Sequence, residues 1–215
     1  MIHPILRFTL ANVYKLWLRK AQGLENLPKD RPFIIAANHS SYYDSMLLHC
    51  IIIPKIDKKI HALVNSSYWN YPIARKLLNI GECIPVSVVK NKNLKNQNED
   101  VFKKAVEYLK KGEIIQIFPE GTRSIDGELK KAYTGIAKIC LYSKVPVLPV
   151  GIIGSYKVLP KGKFFPRFIR CDVNIGKLIY FDKYYKKKVS NSLLEKITKD
   201  IMEEIARLIG GKYKY

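Results

Sequence analysis

Apolar and polar positions follow two periods along this chain. Short continuous apolar runs recur at Pro32–Ala37, Ile60–Val64, Cys83–Val89, Glu113–Phe118, Val145–Ile153 and Arg170–Ile175. Each has the length of a buried strand. Between them the period becomes helical, over Asp44–Ile52, Ile73–Leu78 and Tyr133–Tyr142. The clearest helix is Asn98–Lys110: Val101, Phe102, Ala105, Val106 and Leu109 share one face and lysines fill the rest. Gly112 follows as a stop. Ser190 or Asn191 caps a last helix that runs to Leu208. Pro149 should break its strand, and Pro119–Lys130 reads as a polar loop. This alternation predicts an α/β fold: a single domain whose mostly parallel central sheet is flanked by helices.

Residues 1–22 stand apart. Ile2, Leu6, Leu10, Val13 and Trp17 fall on one helical face, with Arg7, Asn12, Lys15 and Arg19 roughly opposite. The stripe predicts an amphipathic N-terminal helix, with residues 23–215 as the main domain. Such a helix either packs on the core or lies in a membrane interface with its basic edge at lipid phosphates. No apolar run reaches the length of about 18 residues that a membrane span needs. Nor does the start read as a signal peptide.

Charge narrows the partners. Lys and Arg number 38 against 18 acidic residues, a net charge of +20, which favours an anionic partner. Lysine dominates over arginine, and base readout favours arginine, so sequence-specific nucleic-acid binding is not favoured. Composition itself does not separate an anionic membrane surface from nucleic acid. Lys157 to Lys188 carries ten basic and two acidic residues, with aromatics interleaved in "KGKFFPRFIR". Cys50, Cys83, Cys140 and Cys171 lie far apart, each in or beside an apolar stretch. Buried reduced thiols are expected rather than a disulfide frame or a zinc site.

Two polar stretches interrupt the apolar pattern. In "FIIAANHSSYYDSMLLHC" an apolar run stops at Asn38, and His39 and Asp44 follow five positions apart. Within one helix they would point about 140° apart. They meet only if a strand ends near Asn38, the chain turns through Ser40 and Ser41, and a helix begins near Asp44. That places polar side chains at a strand's C-terminal end, where open α/β sheets carry their sites. A helix cap beside an unrelated histidine fits the same residues. In "IIQIFPEGTRS" the design repeats: apolar strand, Pro119, then Glu120, Gly121, Thr122 and Arg123. Arg123 offers a planar fork for phosphate or carboxylate. Gly121 permits a positive φ or close backbone approach.

"NHSSYYD" and "FPEGTRS" resemble the first and third blocks of the 1-acylglycerol-3-phosphate (lysophosphatidic acid) acyltransferase family. Asn38, His39, Ser41 and Asp44 match the first block, and Phe118–Ser124 matches the third throughout. "VPVLPV" resembles the fourth. The likeness runs from about Leu24 to Gly154. The second block departs: "GECIPVSVVK" keeps Gly81 and Ile84-Pro85-Val86, but the family's arginine falls on Val88 or Ser87, and Lys90 is the nearest cation.

The resemblance implies acyl transfer from acyl-CoA or acyl carrier protein to the free hydroxyl of a lysophospholipid. It implies a peripheral protein on the cytoplasmic face of a membrane, and chemistry that needs no metal or cofactor beyond the acyl donor. His39 would be the general base and Asp44 its orienting carboxylate. Ser41, Glu120, Gly121, Thr122 and Arg123 would shape the acceptor site, with Lys90 as a further cation. Backbone N–H groups in the turn after His39 would serve the oxyanion. Glycerol 3-phosphate or a lyso-aminolipid is an alternative acceptor, and a basic membrane-surface or nucleic-acid-binding protein is the non-enzymatic alternative. His49 reads as a helix residue and His61 as a strand edge, both without matching partners.

Overall fold

The protein is described by a computed structural model over residues 12, 15–56, 58–87, 95–160, 162–163 and 165–215, with backbone alone at 95–98. Seven strands form one sheet: β1 (Leu18–Gln22), β2 (Ile34–Ala37), β3 (Ile60–Asn65), β4 (Ile84–Val86), β5 (Ile114–Ile117), β6 (Val147–Ile153) and β7 (Cys171–Ile175). Their order is β1-β7-β6-β2-β5-β3-β4. All neighbours are parallel except β6 and β7. The helices are α1 (Tyr43–Ile52), α2 (Pro72–Ile80), α3 (Lys95–Lys110), α4 (Gly135–Ser143), α5 (Ser155–Val158) and α6 (Asn191–Leu208). The expected α/β class and mostly parallel sheet are present.

The sheet is buried on both faces, which is why its strands read as continuous apolar runs. Period-two alternation then sorts β2 between two cores. Ile34 and Ala36 join Ala105 and Leu109 of α3, Ile136 and Ile139 of α4, and Ile201 and Ile205 of α6. Phe33, Ile35 and Ala37 join Leu47, Leu48 and Ile51 of α1. Ser190 caps α6, its side chain accepting from the Leu193 N–H, and Gly112 after α3 has φ +83°.

Three expectations need correction. Residues 18–22 are not helical: they form β1, an edge strand parallel to β7, with Arg19 paired to Asp172. Pairing with β7 outweighs the helical stripe. The rest of the proposed N-terminal helix lies outside the described residues, apart from residues 12 and 15–17. Pro149 does not break β6. It pairs in register with Ala36 and sits where the β6–β7 register slips by one residue, between the Val150–Ile175 pair and the Val147–Ile179 bridge. At such an irregularity a missing N–H is tolerated. His61 is not at a strand edge. It is buried, stacked on Tyr108, with Nε2 2.7 Å from Glu113 and Nδ1 3.0 Å from the Glu82 carbonyl.

Candidate active site

The parallel strands end along one edge of the sheet, and the polar stretches gather there. β2 stops at Ala37 because Asn38 replaces backbone pairing with side-chain pairing. Its amide accepts from the Ile152 N–H at 2.7 Å and donates to the Ile152 carbonyl at 2.9 Å. This double bond ties the end of β2 to β6 and fixes where the turn begins.

The chain then turns through His39, Ser40 and Ser41 into α1, bringing His39 Nδ1 to 2.9 Å from Asp44 Oδ2. The same oxygen accepts from the N–H groups of Ser40 and Ser41 at 2.7 and 2.8 Å. An oxygen that already accepts two bonds is an acceptor for the third. Nδ1 therefore carries the hydrogen, and in the neutral imidazole Nε2 keeps the lone pair. Asp44 is fully buried, whereas the His39 side chain keeps 19% of its surface exposed. The imidazole also stacks on Phe118, with centroids 3.9 Å apart and planes within 12°. Ring and carboxylate together leave His39 little freedom.

The third block clasps the first. Glu120 Oε1 accepts from the His39 N–H at 2.9 Å, and Oε2 accepts from the Lys130 N–H at 2.8 Å. The Ser124 N–H donates to the His39 carbonyl at 2.7 Å. Burial pushes the Glu120 carboxyl up to about 7, against the pull of the two backbone donors. Gly121 has φ +63°, a turn conformation that suits glycine. Gly121 and Thr122 are exposed.

Arg123 is half-buried, its Cζ 3.3 Å from the centre of the Tyr42 ring. Its Nη1 is buried without a hydrogen-bond partner among the described residues. Lys130 Nζ donates to the Arg123 carbonyl at 2.9 Å. Tyr42 in turn meets Tyr68 edge-on at 6.2 Å.

The predicted residues divide by role. His39 and Asp44 meet as required, and Arg123 lies on Tyr42, which follows Ser41 in the same turn. Ser41 is fully buried. Its hydroxyl donates to the Leu159 carbonyl and accepts from the Tyr43 N–H, so it builds the turn rather than facing a ligand. Glu120 likewise holds the backbone of His39. The expected oxyanion donors are spent, because the Ser40 and Ser41 N–H groups both bind Asp44. Lys90 and Val88 lie outside the described residues. Sequence reasoning missed Phe118, Tyr42 and Lys130 as supports; the first two stand inside the motif stretches, but nothing in their spacing marks a ring contact. Cys50, Cys140 and Cys171 are buried thiols outside any disulfide, pushed up to about 11, 12 and 12 by burial, unsuited to nucleophilic work. Among the described residues no group of three or more His, Cys, Asp or Glu side chains is placed to hold a metal ion.

The Acyltransferase family model matches residues 19–153, which include both polar blocks. A 1-acyl-sn-glycerol-3-phosphate acyltransferase of Bacillus subtilis is 31% identical over 67% of this chain and 68% of its own length. A chloroplastic 1-acyl-sn-glycerol-3-phosphate acyltransferase of Brassica napus is 30% identical over 70% of this chain and 42% of its own length. The chain thus matches about two fifths of the plant relatives. The crystal structure of the 1-acyl-sn-glycerophosphate acyltransferase PlsC from Thermotoga maritima shares the fold, with a TM-score of 0.71 over 99% of this chain and 81% of that one at 24% identity. With more than half its length matched, and with the His39–Asp44 turn inside that match, the chain belongs to the acyltransferase family.

Proposed function

We propose that this protein transfers a fatty acyl group from a thioester, acyl-CoA or acyl carrier protein, to the free hydroxyl of a lysophospholipid. The proposed acceptor is 1-acylglycerol 3-phosphate and the product phosphatidic acid. One observation carries the reading: Asp44 holds Nδ1–H of His39, so Nε2 is left as a base. The lipid hydroxyl approaches Nε2 and loses its proton as its oxygen attacks the thioester carbonyl. The imidazolium so formed faces Asp44, which stabilises it as the carboxylate of a Ser-His-Asp triad does. When the tetrahedral intermediate collapses, the C–S bond breaks and the thiolate takes the proton back. The nucleophile is the acceptor itself, so no acyl-enzyme forms. Arg123, with an unmet N–H and a ring beneath it, suits the acceptor phosphate.

The proposed location is peripheral, on the cytoplasmic face of a membrane, with anionic lipid rather than nucleic acid as the partner surface. Phe165 and Phe168 are exposed between the cations Lys163, Arg167 and Arg170, as an interfacial loop requires. None of the described helices is long and apolar enough to cross a membrane. The decisive assay is thiol release across a panel of lyso-acceptors with both donor types. Turnover should be greatest with lysophosphatidic acid. Absence of thiol release with every lyso-acceptor would overturn the reading, and preference for glycerol 3-phosphate or a lyso-aminolipid would replace the acceptor.

A further inference from the structure

Helix α2 is out of place in a soluble domain. It spans nine residues, none of them buried. Ile73, Leu77 and Ile80 are 79%, 64% and 64% exposed. Their spacing of four and three residues sets them along one line of the helix. Ala74 and Leu78 are half-buried, so the helix has a packed side as well as this bare one. Tyr71, just before it, is also exposed. The helix carries Arg75 and Lys76, both exposed, and no acidic residue.

Its position gives this face a meaning. β3 runs parallel to β5, and β5 to β2, so the chain leaves β3 at the same sheet edge as His39 and Glu120. The connection is the 3-10 helix Ser66–Asn70, against which α2 packs. Tyr68 of that turn meets Tyr42, and Tyr42 underlies Arg123. A continuous line of contacts thus joins the phosphate-binding candidate to the element that bears the bare apolar stripe. The loop with Phe165 and Phe168 also follows a strand that ends at this edge, β6.

We propose that α2 seats its Ile73–Leu77–Ile80 face in the acyl region of an anionic bilayer, with Arg75 and Lys76 at the lipid phosphates, and so holds the open edge of the site against the membrane. An apolar stripe with cations and no acid on the same short helix is the pattern of an interfacial helix. The net charge of +20 favours an anionic surface over a neutral one. A protein partner would find no acidic residue on α2 with which to fix its register. The choice of lipid rests on the acyl-transfer reading, but docking is measured without it.

The test uses the full chain and vesicles of phosphatidylglycerol with phosphatidylcholine, or of phosphatidylcholine alone. Ile73→Ser/Leu77→Ser/Ile80→Ser should bind anionic vesicles about ten- to a hundredfold more weakly. Its thiol release with a short-chain, monomeric lyso-acceptor should match wild type, since none of these residues touches the site. Arg75→Gln/Lys76→Gln should lose roughly tenfold on anionic vesicles and nothing on neutral ones. Unchanged vesicle affinity in the triple variant overturns the proposal. So does a wild-type dimer, seen by sedimentation, that the triple variant dissociates: the face is then an interface between copies. Wild-type protein that docks through α2 yet releases no thiol with any acceptor would refute the acyl-transfer reading and uphold the docking.

Discussion

The guanidinium carbon of Arg123 stands 3.3 Å from the centre of the Tyr42 ring, while Nη1 is left without a partner among the described residues. The ring steadies the cation without using its hydrogen bonds, which leaves the fork for a ligand. Arg123→Ala should therefore cost roughly 2–4 kcal/mol in kcat/KM with a phosphate-bearing lyso-acceptor. Arg123→Lys should recover only part, because an ammonium lacks the fork. Tyr42→Phe keeps the ring and loses only the hydroxyl's hydrogen bond to Tyr68, so it should cost less than Tyr42→Leu, which should raise KM several-fold, in line with a cation–π contact of about 1 kcal/mol. The check is to repeat each measurement with a phosphate-free acceptor. If Arg123→Ala depresses both acceptors equally, its role is structural.

His39→Ala should lower turnover by about 10²–10⁴-fold, the usual general-base contribution. The protein should stay folded, since the His39 side chain reaches the surface. Asp44→Asn tests orientation separately. An asparagine oxygen in place of Oδ2 can keep the Ser40 and Ser41 bonds, but it cannot neutralise an imidazolium. Turnover should fall strongly while circular dichroism and melting temperature show a folded protein. Near-normal turnover in folded His39→Ala protein would remove the mechanism.

Much of this site was legible because its parts are local. An apolar run, a polar turn and an apolar helix stand within "FIIAANHSSYYDSMLLHC", and that order alone lets His39 reach Asp44. The strands were legible because a sheet buried on both faces needs unbroken apolar runs. What escaped was set by long-range contact. Glu120 holds the His39 N–H across 81 positions, so a residue expected at the acceptor proved to hold the backbone of His39. The Ser40 and Ser41 amides looked open until Asp44 was seen to claim both. β1 was hidden because its strand state depends on β7, about 150 residues away. Pro149 misled because its irregular neighbour lies at the end of β7.

Asn38 predicts a stability effect. Its buried amide makes two bonds to Ile152 that no small apolar residue can replace. Asn38→Ala would leave a buried N–H and a buried carbonyl unpaired, at about 1–3 kcal/mol for each group left unsatisfied. Asn38→Asp should also destabilise, because a carboxylate would face the Ile152 carbonyl. Urea unfolding should show a lower midpoint for both, with an unchanged slope. A midpoint equal to wild type would show that water satisfies Ile152 in the variants.

Glu120 makes stability depend on pH, and the sign can be worked out. Burial raises its carboxyl from an ordinary 4.5 to about 7. Between these values the folded state binds more proton than the unfolded state, so unfolding releases protons there. This group's contribution therefore weakens stability as pH rises from about 4.5 to about 7, by a total on the order of 3 kcal/mol, and is level above. Glu120→Gln removes the titration. Its NH2 must also face one of the two N–H donors, His39 or Lys130, which costs about 1–3 kcal/mol at any pH. At pH 5 the variant should be clearly less stable than wild type. By pH 8 the gap should narrow, because wild type then carries a buried charge that the variant lacks. Urea unfolding of both proteins at pH 5, 6, 7 and 8 measures the gap directly. A gap that stays constant across that range would mean that the two backbone donors, rather than burial, govern this carboxylate.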